Sequence, residues 1–207
     1  MLFALLSYPI LGAGVKYIDD AFDEKIFNRT LAFLVAPILG VLWAYTMLVD
    51  PVSATILLAI LCGVLLKGKI DNYAHLLGFA IILVIIILTG VHLLFLPLIF
   101  LATAAFLDEV GNDLIDQNNT YIDRNKASHR FLVYFFDQRW VMKLAVLCIV
   151  FMGVVPIYFF FALLLFDAAY LLVRWYGRSR STIAISFDLK LMKLKDFIIP
   201  NRRRTPV

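Results

Sequence analysis

The sequence predicts an all-α membrane protein, a polytopic bundle of about seven transmembrane helices. Apolar residues make up 63% of the 207-residue chain and charged residues 16%, whereas soluble domains average about 45–50% and 25%. The mean hydropathy is +0.91. The long uncharged runs show no alternation of period two, so helices rather than barrel strands must satisfy the backbone in lipid. This composition excludes a soluble globular domain, a disordered chain and a disulfide-rich scaffold.

Apolar runs define the predicted spans. The stretch 74–107 would be about 50 Å long as one helix, which is too long for one crossing, so we divide it at Gly90. The stretch 144–173 is divided between Gly153 and Pro156, because proline removes a helix hydrogen bond; one unbroken, tilted helix is the alternative there. The predicted spans are 1–15, 30–49, 52–66, 74–89, 91–107, 131–153 and 156–175. Several are short, so their helices should continue into the polar flanks.

The placement of charge predicts the orientation. With the amino terminus outside, all 19 Lys and Arg residues fall on one side of the membrane or at its edge, and the opposite turns carry only Asp50. The charged side comprises the segments 16–29, 67–73, 107–143 and 174–207. The positive-inside rule makes this side cytoplasmic. After a transmembrane domain of residues 1–175, residues 176–207 are predicted to form a basic, amphipathic cytoplasmic tail near anionic lipids. No motif for nucleic-acid binding accompanies the charge.

Two acidic segments on the predicted cytoplasmic side indicate metal binding. The first acidic segment runs from Asp19 to Asp23, and the second runs from Asp108 to Asp116 and includes Glu109. Residues three or four apart share a helix face, and like charges this close repel unless a cation lies between them. Carboxylate oxygens suit Mg²⁺, which binds one or two carboxylates together with substrate phosphates. The predicted magnesium ligands are Asp19, Asp20, Asp23, Asp108, Asn112, Asp113 and Asp116, and the predicted catalytic residues are Asp20, Asp23, Asp113 and Asp116.

Basic and amide side chains near both segments predict a site for a phosphate-bearing substrate. The predicted substrate-binding residues are Arg29, Lys67, Lys69, Asn72, Arg124, Lys126 and Arg130. Cations of this kind neutralise a metal-bridged diphosphate as it leaves, while the apolar helices beneath can hold a long hydrocarbon tail. The structural alternative is a set of solvated loops with mixed charge. His75 is interpreted as a helix-end residue at the lipid headgroups rather than as a metal ligand.

These motifs resemble those of the UbiA-type intramembrane prenyltransferases. That family's first motif, NDxxDxxxD followed by an Asn-Arg pair, is similar to DDAFDEKIFNR from Asp19 to Arg29. Its middle loop, in which Asn and Gly follow a Lys, is similar to the segment containing Lys67, Asn72 and Gly78, and its second motif falls on Asp108 to Asp116. The resemblance implies Mg²⁺-dependent transfer of a prenyl group from a polyprenyl diphosphate to a lipid or aromatic acceptor.

Two other function classes stay open. Asp167 lies deep in the last predicted span, and intramembrane ionisable groups are costly and often functional, so a small cation or solute transporter is one alternative. A structural pairing with Arg174, seven residues further on, is the simpler explanation of Asp167. The other alternative is a non-catalytic membrane assembly or partner protein, which predicts no cavity behind the acidic segments. The enzyme hypothesis predicts that the four catalytic candidates line one cavity. The sequence leaves homo-oligomerisation open.

Overall fold

The computed structural model describes residues 1–68, 72–118 and 126–198, with side chains up to Arg180. Within those ranges the regular structure is entirely helical and contains no strand, which confirms the all-α prediction. The helices are α1 (Leu2–Phe22), α2 (Arg29–Val49), α3 (Pro51–Leu66), α4 (Tyr73–Thr89), α5 (Phe95–Gln117), α6 (Ala127–Asp137), α7 (Trp140–Phe151) and α8 (Tyr158–Ile198).

Four stretches of the described chain are long and apolar enough to cross a membrane, judged by length and composition: α1, α2, α5 and residues 158–180 of α8. The apolar helices α3, α4 and α7 are shorter, and the 16 and 17 residues of α3 and α4 correspond to about 24–26 Å. As expected, α1 and α5 continue beyond their apolar runs, so each acidic segment begins on a helix. The chain therefore has the fold of a helical membrane protein.

Polar residues start three of these helices. Asn28 Oδ1 accepts the N–H of Thr30 at 2.8 Å, and Asp50 Oδ1 accepts the N–H of Val52 at 2.8 Å. The side chain of Asn72 caps α4 in the same way. Each cap satisfies an N–H group that has no partner within its helix. Asp50, the single charge in the turns on the predicted outer side, is thus explained by helix capping.

The predicted sixth span, 131–153, is wrong as a single helix. It is divided into α6 and α7 by Arg139, whose φ of 49° lies in the left-handed region that a non-glycine residue rarely adopts. Tertiary contacts override the apolar pattern here, because Arg139 forms an ion pair with Glu109 and Asp137 forms one with Arg174. The 12 residues of α7 span only about 18 Å.

The two predicted breaks within long apolar stretches are confirmed. Helix α4 ends at Thr89 before Gly90, whose φ is 73°, and α7 ends shortly before Gly153, whose φ is 72°. Both glycines adopt backbone conformations that strain other residues. The second break excludes the alternative of one tilted helix over 144–173. In contrast, α8 runs without interruption past residue 176, where the tail was predicted to begin.

Small residues allow the helices to pack closely around the centre of the bundle. Gly12 of α1 lies against the carbonyl of Phe166 in α8, where a Cβ atom would overlap with the backbone. Gly40 of α2 faces Gly78 of α4, and a Cβ on Gly40 would lie 2.7 Å from the Gly78 carbonyl oxygen. Small residues at such interfaces favour helix association in lipid, where van der Waals packing is a main attractive force. These contacts fix α4 and α8 as walls of the cavity described next.

Candidate functional site

A cavity of about 390 Å³ lies among helices α1 to α5 and α8, within the usual size range of small-ligand sites. Apart from Tyr170, which lies within α8, its polar lining residues lie towards helix ends, and its apolar lining lies further along the helices. The polar residues are Asp19, Asp23, His75, Glu109, Asn112, Arg139 and Tyr170. The apolar residues include Leu39, Trp43, Ile60, Leu61, Phe79, Ile82 and Phe166. The cavity is therefore amphipathic, with a polar end and an apolar interior.

A chain of contacts crosses the polar end and links the two acidic segments. His75 Nε2 lies 2.6 Å from Asp19 Oδ1, and the Tyr170 hydroxyl donates to Asp19 Oδ2 at 3.3 Å. The Arg139 guanidinium lies over the Tyr170 ring, 5.2 Å from its centroid, and its Nη2 is 3.1 Å from Glu109 Oε1. The series Glu109, Arg139, Tyr170, Asp19 and His75 thus joins α5, the α6–α7 junction, α8, α1 and α4.

A second, smaller cavity of about 30 Å³ adjoins the first and shares Glu109 and Arg139 with it. It extends towards Asp167, whose Oδ2 lies 2.7 Å from the Nζ atom of Lys143. Both side chains are largely buried, and such a cavity is large enough for water. The predicted pairing of Asp167 with Arg174 is not formed, because Arg174 instead contacts Asp137 at 2.8 Å.

Three of the predicted magnesium ligands line the larger cavity: Asp19, Asp23 and Asn112. Asp19 and Asp23 are one helical turn apart on α1 and share a face. Asn112 likewise lies three residues after Glu109 on α5. The structure therefore brings the two acidic segments to one cavity, as the enzyme hypothesis requires, but through a subset of their residues.

The other predicted ligands do not line that cavity. Asp20 is only 2% exposed and forms an ion pair with Lys16 at 2.8 Å. Asp113 pairs with Lys67 at 2.7 Å, and Asp116 is exposed on the last turn of α5. Of the four catalytic candidates, Asp23 alone lines the larger cavity, which corrects the expectation that all four would. Asp20 and Asp113 each follow a cavity-lining residue, Asp19 or Asn112, by one position and so point about 100° away from it, whereas Asp116 lies one helical turn beyond Asn112.

Asp108 has a distinct structural role at the start of α7. Its side chain is 1% exposed, and its two oxygens accept the backbone N–H groups of Val141 at 3.1 Å and Met142 at 2.7 Å. It therefore caps α7 from a neighbouring helix and satisfies donors that would otherwise be buried without partners. Asp108 does not line the larger cavity, so we do not include it among the candidate metal ligands of that cavity.

The predicted substrate-binding residues lie away from the cavity lining. Arg29 donates to the carbonyls of Ala21 and Phe22 and so caps the end of α1. The Asn72 side chain accepts the N–H of His75 at 2.9 Å. Lys67 forms an ion pair with Asp113 of α5.

Lys126 and Arg130 are exposed at the beginning of α6. Lys69 and Arg124 lie outside the described residues. None of the five described candidates, from Arg29 to Arg130, belongs to the cavity lining, although each lies on the charged side of the chain. Loop charge thus predicted the correct side of the molecule without distinguishing cavity residues from capping and surface residues.

Sequence reasoning assigned no site role to Arg139 or Tyr170, and it interpreted His75 as a headgroup residue. The signal for Arg139 was a charged side chain inside a predicted apolar span, which is unfavourable unless it has a partner. Nothing in the local pattern distinguished Tyr170 from the other aromatic residues of its span. Its role emerges only from the packing of α8 against α1.

The donor chemistry at the polar end fits Mg²⁺ in one particular way. Within the part of the chain that the structure describes, no group of three or more His, Cys, Asp or Glu side chains is arranged to hold a metal ion. Mg²⁺ commonly uses only one or two carboxylates and takes its other oxygens from water and substrate phosphates. Asp19 and Asp23 supply two such carboxylates on one face of α1, so the residues present fit a metal that binds together with a phosphate-bearing ligand.

Comparisons with other proteins give no relative from which a function could be transferred. No family model, no curated protein and no solved structure matches this chain. The resemblance to UbiA-type prenyltransferases accordingly stays a prediction carried by the sequence motifs.

Proposed function

We propose that the protein is an intramembrane enzyme that transfers a prenyl group from a polyprenyl diphosphate to a lipid or aromatic acceptor in a Mg²⁺-dependent reaction. The observation that carries this proposal is the convergence of both acidic segments on the polar end of one apolar cavity. A prenyl diphosphate has the same division, with a highly charged head and a hydrocarbon tail. The polar end of the cavity would accept the charged head of that ligand, and the apolar interior would accept its hydrocarbon tail.

In this proposal, Asp19 and Asp23 would hold Mg²⁺, and Asn112 lines the same cavity from α5. Bound Mg²⁺ supplies positive charge that neutralises the leaving group. The bond between the allylic carbon and the diphosphate oxygen breaks with its electron pair, and the acceptor forms the new bond and releases a proton. Trp43 and Phe166 present aromatic rings to the cavity, and such rings attract a cation. The apolar lining excludes water that would otherwise capture the cation.

We further infer that α1 to α5, α7 and α8 are the seven membrane-embedded elements, with the amino terminus outside and the polar end of the cavity cytoplasmic. The positive-inside distribution of Lys and Arg supports this orientation. Helix α6 has no buried residue, which fits a position at the membrane surface. The tail after residue 175 then leaves the membrane as a continuation of α8.

The test is equilibrium binding of geranylgeranyl diphosphate to the purified full-length protein in detergent, with Mg²⁺ or with EDTA. We expect Mg²⁺-dependent binding that Asp23→Asn weakens by about tenfold or more, the loss expected for one charge-assisted contact. Asp116→Asn is the matched control, because it removes the same charge from an exposed site outside the cavity, and it should stay within about twofold.

Binding is followed by measurement of diphosphate release when candidate acceptors and lipid extracts are added. Acceptor-dependent release that requires Mg²⁺ and Asp23 supports transfer. A well-folded wild-type protein that shows no Mg²⁺-dependent binding excludes the enzyme proposal. Equal losses in the two variants would also contradict it, because the effect would then come from surface charge rather than from the cavity.

One observation favours the transporter alternative, and another speaks against the partner-protein alternative. Asp167, which pairs with Lys143, continues the polar lining from the larger cavity into the smaller one, as a path for cations would require. Flux into proteoliposomes that is abolished by Asp167→Asn, without prenyl diphosphate binding, would select that alternative. A non-catalytic partner predicts no cavity behind the acidic segments, whereas a cavity of about 390 Å³ is found there.

A further inference from the structure

Arg139 occupies a backbone conformation that points to a specific role. It is one of two non-glycine residues in the described chain with positive φ, and it forms the junction between α6 and α7. A left-handed conformation at a non-glycine residue costs free energy and persists only where the surrounding contacts impose it. In this case the conformation places the side chain at the boundary of both cavities, which it lines.

The guanidinium of Arg139 is held from two sides. Glu109, which is almost fully buried, accepts from Nη2 at 3.1 Å, and the ring of Tyr170 lies beneath the guanidinium. The Tyr170 hydroxyl in turn donates to Asp19. The Arg139 side chain nevertheless retains 33% exposure. The group is therefore oriented by its neighbours while part of its surface faces the cavity.

The charges around the cavity give this guanidinium a unique position. Among the described residues that line the larger cavity, Arg139 is the one lysine or arginine. The basic residues predicted to bind a diphosphate are engaged or directed elsewhere in the described chain: Lys67 pairs with Asp113, and Arg130 is exposed on α6. A phosphate group whose hydrocarbon tail fills the apolar interior would lie at the polar end, which Arg139 lines.

We propose that Arg139 selects ligands whose headgroup is a phosphate or diphosphate, and that Glu109 and Tyr170 are its positioning residues. The guanidinium presents several N–H donors in a planar fork that matches phosphate oxygens in pairs. This inference rests on the proposed function for the identity of the prenyl tail. The assignment of the headgroup to Arg139 adds a residue that the sequence motifs do not contain.

The experiment compares three ligands with one tail: geranylgeranyl diphosphate, geranylgeranyl monophosphate and geranylgeraniol. Their affinities are measured for the full-length wild-type protein and for Arg139→Asn, Arg139→Lys and Arg130→Asn. Asparagine removes the charge yet tolerates the left-handed conformation better than most residues. Lysine keeps the charge without the planar fork. Arg130→Asn is the matched control, because it removes the same side chain from an exposed position on α6.

We expect Arg139→Asn to weaken binding of both phosphate ligands by about 10- to 100-fold, as for loss of a charge-assisted hydrogen-bonded pair, with geranylgeraniol affinity unchanged. The affinity of Arg139→Lys for the phosphate ligands should lie between those of Arg139→Asn and the wild type. The affinity of Arg130→Asn should equal that of the wild type. The inference is overturned if Arg139→Asn and Arg139→Lys both retain the wild-type preference for phosphate ligands. It is also overturned if Arg139→Asn lowers the affinity for geranylgeraniol as much as it lowers the affinity for the phosphate ligands, because the arginine would then only maintain the shape of the cavity.

Failure of this inference and failure of the proposed function give different results. If the wild-type protein binds diphosphate with Mg²⁺ dependence and the Arg139 variants retain that binding, the enzyme proposal stands and the assignment of Arg139 falls. If the wild-type protein binds none of the three ligands, the proposed function itself falls, and the inference falls with it. Should Arg139→Asn fail to fold, the ligand ratios of Arg139→Lys decide: an unchanged ratio of diphosphate to alcohol affinity overturns the assignment.

Discussion

The two acidic segments look alike in sequence but differ in what they bring to the cavity. The first segment contributes two carboxylates, Asp19 and Asp23, from one face of α1. The second contributes one carboxylate and one amide, Glu109 and Asn112, and this carboxylate already pairs with Arg139. The segments are therefore not equivalent halves of a symmetric metal site. The first offers hard oxygen ligands to a cation, whereas the second positions a guanidinium that would meet an anion.

The remaining acidic residues of both segments stabilise the bundle. Asp20 pairs with Lys16 in a buried part of α1, and Asp108 caps α7 from α5. An acidic motif on a helix thus divides by face, with one face directed to the cavity and another to structural partners. This division predicts different effects for neighbouring aspartates in one motif. Substitution of a structural aspartate should mainly lower the free energy of unfolding, whereas substitution of a cavity-lining aspartate should mainly lower ligand affinity.

The largest stability effect is expected from breaking the buried pair in the first segment. Asp20→Ala leaves Lys16 without its carboxylate partner, and removing one member of a buried ion pair costs about 3–5 kcal/mol. The free energy of unfolding in detergent, measured by denaturant titration, should fall accordingly. Lys16→Met combined with Asp20→Leu should recover much of the loss, because the unpaired charge is then absent. A single variant as stable as the wild type would show that Asp20 does not have the structural role described here.

A smaller but clear loss is expected in the second segment. Asp108→Ala removes the acceptors for the N–H groups of Val141 and Met142, and each buried donor left unsatisfied costs about 1–3 kcal/mol. The hydrogen bond of Met142 is buried and that of Val141 is only partly buried, so the same unfolding measurement should give a loss of about 1–3 kcal/mol. Asp113→Ala is the matched control, because its partly exposed pair with Lys67 contributes about 1 kcal/mol or less. Equal losses in the two variants would contradict the distinction between capping and surface pairing.

The sequence predicted the helical class and the membrane character. These properties depend on hydropathy and on Gly90, Gly153 and Pro156, which act locally and are visible in a single chain. The choice among neighbouring acidic residues was not predictable in the same way. Asp20 and Asp23 have the same chemistry, and their different roles depend on which helix face meets α8 and which meets the cavity.

The break between α6 and α7 was missed for a related reason. Residues 131–153 are apolar enough to suggest one span, although they contain Asp137 and Arg139. Their partners, Arg174 and Glu109, are distant in sequence. Long-range ion pairs of this kind decide where a helix ends, and no local pattern contains them. The position of Arg139, and with it the link between the two acidic segments, was therefore accessible only in three dimensions.

The smallest effect is expected at the link itself, where Tyr170 connects the two segments through two different parts of its side chain. Its ring lies beneath Arg139, whereas its hydroxyl donates to Asp19. Tyr170→Phe keeps the ring and removes one hydrogen bond, so ligand affinity should fall only about two- to tenfold. Tyr170→Leu also removes the aromatic face, which is worth about 0.5–1 kcal/mol or more to a stacked cation. The ligand affinity of this variant should therefore fall further.

The three ligands with one tail separate the two contributions of Tyr170. If the ring positions Arg139, Tyr170→Leu lowers the preference for phosphate over alcohol, whereas Tyr170→Phe leaves that preference close to the wild-type value and weakens Mg²⁺ dependence through Asp19. Equal behaviour of the two variants would mean that the hydroxyl alone matters. The second segment would then act on the ligand independently of the first, and the chain of contacts from Glu109 to His75 would be a feature of packing rather than of the site.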